Sequence, residues 1–230
     1  MTTTSIRPDG RQADQIRPLE IVQGLLHRPD GSAQFALDKT STLAAVYGPM
    51  EIKIRDEKVD RATIEVNYKP LTGQSGVRDR WVEFNVRRTF EGVVLTALHP
   101  NTLIRIELQE SRVHGSEISA AFNAATMALM DAGVPMRTIV GSVSCAIDDQ
   151  GTLLLDPTEH EIETATSFHI FAFDSEMQGA LFNDSIGSFT PEQYNACHEI
   201  CRKSVSKIFS FMRTAVEKKL LTQVQQLQKE

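Results

Sequence analysis

The chain has 230 residues, a formal charge of −6 and 41% hydrophobic side chains. That length bounds the fold to one domain or two small fused ones. The acidic balance argues against a protein that wraps nucleic acid over its whole surface, although a local basic strip remains open. No apolar run reaches the ~18 residues of a membrane helix. The first residues, Met-Thr-Thr-Thr-Ser, lack the apolar region of a secretion signal. Cys145, Cys197 and Cys201 make an odd count, which suits a reducing compartment better than a disulfide framework.

Residues 1–17 are polar and carry Pro and Gly. They read as a flexible arm holding Arg7, Arg11 and Arg17. Leu19–Leu26 and Ala33–Leu37 flank Arg28-Pro29-Asp30-Gly31-Ser32, a turn sequence, so a hairpin is expected. Thr40–Tyr47 is β-branched and nearly unbroken, like a strand covered on both faces, and Gly48-Pro49 is expected to end it. Met50–Ile54 resumes in extended form, and Thr63, Ile64, Val66 and Tyr68 mark another strand. After a glycine-bearing loop at 70–77, Val82, Val86, Phe90, Val93 and Ala97 recur at helical spacing, predicting a helix from about Asp79 to Leu98 closed by Pro100.

Leu103–Leu108 alternates as a strand. The next helix is expected from about Glu117 to Ala132, with Ser116 capping its first N–H groups and Gly133 and Pro135 ending it. Thr138–Ile147 and Thr152–Leu155 form a second hairpin around Asp148-Asp149-Gln150-Gly151, and Phe168–Phe173 and Gln178–Leu181 are further strands. Thr190-Pro191-Glu192-Gln193 opens a last helix whose 3–4 spacing persists to near Lys218, roughly 40 Å. Residues 221–230 read as a polar, frayed tail, leaving 18–220 as a single domain.

Charge is uneven. Residues 53–88 carry net +3, while 1–52 carry −1 and 89–230 carry −8. This strip either faces an anionic partner or is a solvated face with internal pairs such as Glu83 with Arg87. Cys197 and Cys201 lie on an apolar stripe and read as core thiols, so no metal site is assigned. Asp156, Glu159, Glu161 and Glu163 follow a strand closely. They suit either a divalent cation or acid–base work, but a solvated acidic loop is the simpler reading.

Several stretches together resemble the ribonuclease PH superfamily. They are Arg7-Pro8-Asp9-Gly10-Arg11 with Arg17-Pro18, Arg28-Pro29-Asp30-Gly31-Ser32-Ala33, Leu43-Ala44-Ala45-Val46-Tyr47-Gly48-Pro49, Leu98-His99-Pro100, Asp131-Ala132-Gly133-Val134-Pro135-Met136-Arg137 and Leu154-Leu155-Asp156-Pro157, in family order. The likeness is strongest to the inactive ribonuclease PH-like ring subunits of the eukaryotic RNA exosome. It implies a two-layer α/β (α+β) fold, ribonuclease PH-like and related to the second domain of ribosomal protein S5.

The resemblance also implies what chemistry to look for. Active relatives cleave RNA from the 3′ end with phosphate, held by a Gly-Thr-Arg-like element whose counterparts here are Ser116, Glu117 and Ile118. A catalytic acid of those relatives falls at Ile162, and a second near Thr166 or Ser167. Glu117 would repel a phosphate dianion, Ile118 cannot bind one and Ile162 cannot move a proton, so a non-catalytic chain is expected. Asp156 matches a residue that inactive members also keep. The implied partners are other ribonuclease PH-like subunits in a hexameric ring, RNA-binding cap subunits and the RNA backbone. No cofactor and no membrane partner are implied, and the expected compartments are nucleus, nucleolus and cytoplasm.

Arg78 and Arg80, with Arg88 beyond them, are the expected phosphate-backbone contacts. Arg87, flanked by Glu83 and Glu91, is expected to be tied up in pairs. Two other functions compete. A phosphate-dependent 3′–5′ exoribonuclease would release nucleoside diphosphates and lose that activity on Asp156→Asn. A stand-alone interaction module of the same fold would be monomeric.

Overall fold

A computed structural model describes residue 7, residues 9–176 and residues 179–227. The first half is a five-stranded sheet in the order β1-β2-β3-β5-β4. Its strands are β1 (Leu19–Gln23), β2 (Gly31–Leu37), β3 (Thr40–Glu51), β4 (Thr63–Lys69) and β5 (Thr102–Arg112). All neighbours are antiparallel except β4 and β5, which run parallel with Ile64 opposite Ile104. A parallel pair needs a crossover, supplied by α1 (Val77–Val93). The second half is a four-stranded antiparallel sheet, β7-β6-β8-β9. It comprises β6 (Val140–Ile147), β7 (Leu153–Leu155), β8 (Ser167–Asp174) and β9 (Ala180–Gly187). Each sheet is backed by helices, giving two-layer α/β units that share one helix, α2 (Glu117–Asp131).

That sharing explains the composition of α2. Its residues Ile118 to Leu129 are all buried because α2 packs on the first sheet on one side and on β6 and β8 on the other. Alanines at 120, 121, 124, 125 and 128 let both sheets approach closely. Every residue of β6 is buried in turn. Its even positions face α2, where Asn123 receives the Ser142 N–H at 2.8 Å and donates Nδ2 to the Ser142 carbonyl at 3.0 Å. This side-chain amide completes the strand edge that β7 leaves open by pairing only with residues 145–147. Its odd positions face α4 (Pro191–Leu227). There a Cβ on Gly141 would lie 2.6 Å from the Phe209 ring.

Several boundaries differ from the sequence reading, each for a local reason. Gly48-Pro49 does not end β3, which continues to Glu51 across a bulge between Tyr47 and Met50. Bulges accommodate proline because no ladder bond is required there. Helix α1 stops at Val93, earlier than the expected Leu98, and Ala97 is in a separate 3-10 turn. Val94 pairs with Met136, and the Leu95 and Arg137 N–H groups bond to Pro135 and Val93 across that junction. Strand β9 runs from 180 to 187, longer than expected and shifted, because Asn183-Asp184-Ser185 masks its apolar alternation. Gln178 of the expected strand lies outside the described residues.

The stretch 158–164, expected as a loop, contains the short helix α3 (Glu159–Thr164), with Thr158 and Glu161 forming a capping box. Helix α4 continues to Leu227, so the expected polar tail is helical through its described residues. At 37 residues it is about 55 Å long.

Candidate functional site

Helix α2 and helix α3 meet at their N-terminal ends, and a cleft opens beside that junction. Gly115, at φ +84°, comes so close to the turn before α3 that a Cβ would sit 2.7 Å from the Glu159 nitrogen. Ser116 follows in the left-handed region at φ 61°. The serine does not cap α2, contrary to the sequence expectation. Its hydroxyl is buried, donating to the Pro157 carbonyl at 3.1 Å and accepting from the Ser144 hydroxyl at 2.6 Å. Glu117, Ile118, Ile162, Thr166 and Ser167 then share one cleft of about 600 Å³ with Arg78, Trp81, Asp184 and Ile186. The positions singled out as degenerate are therefore brought together, except Ser116, which lies behind the wall.

The cleft is apolar and acidic where a phosphate site would be cationic. Arg78 Nη2 donates to Glu117 Oε1 at 3.0 Å, so the cation nearest the α2 mouth is already engaged. Asp184, across the cleft, has its carboxyl pushed up by burial. Ile118 and Ile162 offer neither donor nor charge. An incoming dianion would have to displace Glu117 and approach Asp184, with no new hydrogen bond from either isoleucine.

The basic strip splits into separate surfaces. Arg78 and Arg80 are about 200° apart around α1. Among the described residues Arg80 and Arg88 are both exposed and in no ion pair, and Arg88 lines a second cleft. The expected Glu83–Arg87 pair is absent among the described residues. Glu83 accepts the Tyr68 N–H at 2.9 Å, Glu91 pairs with Lys58, and Arg87 lies 5.5 Å over the Phe84 ring.

The acidic run is not a solvated loop throughout. Glu159 and Glu163 are exposed, whereas Asp156 and Glu161 are buried. Arg17 binds both Asp156 oxygens, through Nε at 2.8 Å and Nη2 at 2.7 Å, and its own N–H donates to the same carboxylate at 3.0 Å. Arg17 also reaches Thr40 and the carbonyls of His114 and Gly115, tying the α2 mouth to the first sheet. Arg7 forks onto Glu161 and donates to the Leu155 and Asp156 carbonyls. Burial pushes the Glu161 carboxyl up, but Arg7 and the Thr158 N–H outweigh it and hold it below its ordinary value. The arm expected to be flexible is thus anchored at Arg7, Arg11 and Arg17, all buried. Residues 1–6 and 8 lie outside the described residues.

Other candidate groups are structural. Cys145 Sγ lies 3.6 Å from Cys197 Sγ, and Cys201 is buried beside them. The bond to Cys145, and then burial, push the Cys197 thiol far up. His169 sits between the Ser167 and Ser185 hydroxyls, and burial lowers its pKa. Among the described residues no group of three or more His, Cys, Asp or Glu is placed to hold a metal ion.

A second cleft of about 520 Å³ lies between α1 and β9, lined by Trp81, Asn85, Arg88, Thr89, Gly92, Leu181, Phe182 and Asn183. The 81, 85, 88 spacing marks one helix face in the sequence, but its other wall comes from β9, nearly a hundred residues away, and only folding joins them.

Comparison with known proteins agrees with this architecture. The model of the 3′ exoribonuclease family matches residues 15–135 as its domain 1 and residues 138–204 as its domain 2. The rice (Oryza sativa) protein named exosome complex exonuclease RRP46 homolog is 33% identical over 229 residues, covering 92% of this chain and 96% of the relative. The crystal structure of rice Rrp46 superposes with TM-score 0.88 at 34% identity, over 92% of this chain and all of that one. An archaeal exosome core subunit shares the fold, with TM-score 0.77 at 19% identity over 90% of this chain and 91% of that one. The family match spans both sheets and the shared helix between them, and the chain belongs to the 3′ exoribonuclease, or ribonuclease PH, family.

Proposed function

We propose that the chain is a non-catalytic subunit of the RNA exosome ring, helping to form the channel that threads RNA for 3′–5′ processing and decay. The observation that carries this reading is the α2 mouth, where Glu117 holds Arg78 while Ile118 and Ile162 take the remaining positions. A site that must stabilise developing negative charge needs oriented donors, and here the isoleucine side chains offer none while the one guanidinium is shared with Glu117. The relatives bearing exosome names support the assembly part of the reading. Its partners are ribonuclease PH-like ring subunits and RNA-binding cap subunits. Its compartments are the nucleus, nucleolus and cytoplasm. Arg78, Arg80 and Arg88 contact the RNA backbone, and such contacts are sequence-independent and sensitive to salt.

The test is co-expression with the other ring and cap subunits followed by native mass measurement. Stoichiometric incorporation is expected, and a monomer that joins no complex would remove the assignment. Because the rice relative carries the name exonuclease, RNA is also incubated with inorganic phosphate, with the chain alone and in its complex. No nucleoside diphosphate above background is expected. Release that disappears in Asp184→Asn would establish catalysis instead. Asp184 is the better control than Asp156, since it lines the cleft while Asp156 is committed to Arg17.

A further inference from the structure

We propose that the cleft between α1 and β9 binds one nucleotide of single-stranded RNA, with its base stacked on Trp81. The inference rests on the reading that this chain contacts RNA, and it adds a site distinct from the degenerate cleft. Trp81 forms the wall between the two clefts. Trp81 is 38% exposed, yet its ring is backed by other aromatics. Phe182 meets it edge-on at 6.0 Å, Phe182 stacks on the buried Phe122 at 5.2 Å, and Phe122 packs near Phe90 at 6.3 Å. This aromatic column runs into the core and leaves the indole little freedom to lose when a base stacks on it.

The chemistry of the cleft fits a nucleotide. Asn85, one turn on from Trp81, uses Nδ2 on the Trp81 carbonyl at 2.8 Å, whereas the Asn183 side chain turns to the other face of β9 and donates to the Tyr194 hydroxyl. Among the described residues the Asn85 carbonyl oxygen has no donor, leaving the acceptor that the exocyclic amino groups of adenine, cytosine and guanine require. Arg88, exposed and unpaired, supplies the cation for the adjoining phosphate. Among the described residues no carboxylate lines this cleft, in contrast to its neighbour with Glu117 and Asp184, so an anionic strand meets less repulsion here. An aromatic platform beside a cation is the usual means of holding single strands without strict sequence preference. A protein segment seated on Trp81 would use the aromatic surface but would leave the Asn85 oxygen and Arg88 without evident purpose.

Trp81 is the chain's one tryptophan, so its fluorescence reports only on the two clefts it divides, and Gly92→Leu, which alters just one of them, tells them apart. The full-length chain is titrated at low salt with a twelve-nucleotide oligoadenylate and with an abasic oligomer of the same length. Labelled-RNA anisotropy is followed in parallel. Oligoadenylate is expected to quench Trp81 and the abasic oligomer to bind without quenching. Trp81→Ala should weaken oligoadenylate binding about tenfold, Trp81→Phe should retain most of it, and Arg88→Ala should lower the salt slope by about one.

Gly92→Leu guards against misfolding, because Gly92 lines the cleft and a Cβ there meets nothing within 4 Å. It should keep the thermal midpoint and lose the quenching. Binding by anisotropy without quenching, or wild-type affinity in Gly92→Leu, overturns the stacking site while leaving the ring assignment intact. An absence of binding by both measures also overturns it, whereas ring membership is judged separately by native mass. A change of Trp81 emission on adding ring subunits, with none on adding RNA, would assign the surface to a protein partner and overturn the proposal.

Discussion

Asp156→Ala tests whether the acidic run is structural. The substitution removes every hydrogen bond that Arg17 makes to the Asp156 carboxylate, through its backbone N–H, Nε and Nη2. Both side chains are 2% exposed, so water cannot replace the lost partner. Arg11, whose Nη1 lies 3.9 Å from the same carboxylate, loses its nearest long-range charge partner as well. Removing one member of such a buried pair costs about 3–5 kcal/mol. At about 2–4 °C per kcal/mol for a chain of this size, the thermal midpoint should fall by roughly 6–20 °C.

Asp156→Asn should cost less. Asparagine tolerates the left-handed backbone of this position, at φ 49°, and keeps one acceptor for Arg17. Arg17→Met combined with Asp156→Ala should recover part of the loss, because no unpaired buried charge remains. Urea unfolding with the slope compared across variants is the measurement. An Ala variant within about 1 kcal/mol of the parent at unchanged slope, or a double variant no more stable than Asp156→Ala, would refute the argument.

Four further outcomes follow from the same structure. Glu161 is held below its ordinary pKa of 4.5, so its contribution is complete above that value and is lost as pH falls through the lower folded-state value. The difference in stability between the parent and Glu161→Gln should therefore shrink below about pH 4 in acid titrations of the unfolding midpoint; a constant difference down to full acid unfolding would contradict it. Glu117→Gln should leave stability within about 1 kcal/mol, since its pair with Arg78 is largely exposed. It should also tighten binding of short RNA with a salt slope larger by up to one, measured by anisotropy. Gly31→Ala would place a Cβ 2.3 Å from the Ala132 nitrogen and 2.5 Å from the Ala128 carbonyl, and should cost about 1–3 kcal/mol in urea unfolding. The three buried thiols should resist a charged aromatic disulfide reagent in the folded chain and react only after unfolding. Rapid labelling at neutral pH without loss of structure would refute that.

The amino-acid sequence by itself determined the elements whose cause is local. The 82, 86, 90, 93 spacing became the buried face of α1. Gly133 and Pro135 end α2 near the expected residue, and Thr190-Pro191 opens α4 where predicted. These signals need only a helix turn or a strand pleat to act, so they are readable in a window of a few residues. Glu117, Ile118 and Ile162 were singled out from motifs in order, without any knowledge of their surroundings, and the fold brings all three to one cleft.

Tertiary structure decided whatever depends on distant partners. Asp156 and Glu161 read as solvent-facing until Arg17 and Arg7 arrive from 139 and 154 residues away and let both carboxylates be buried. The same long-range pairing turns a polar arm into an anchor. Cys145 joins Cys197 only when β6 packs on α4, and Asn123 takes its role only where β7 leaves an edge unpaired. Arg78 becomes an occupied cation when α1 is laid beside α2, which no local pattern encodes. Periodicity specifies which face of an element is apolar, whereas the neighbour opposite that face is set by how the two sheets close over α2.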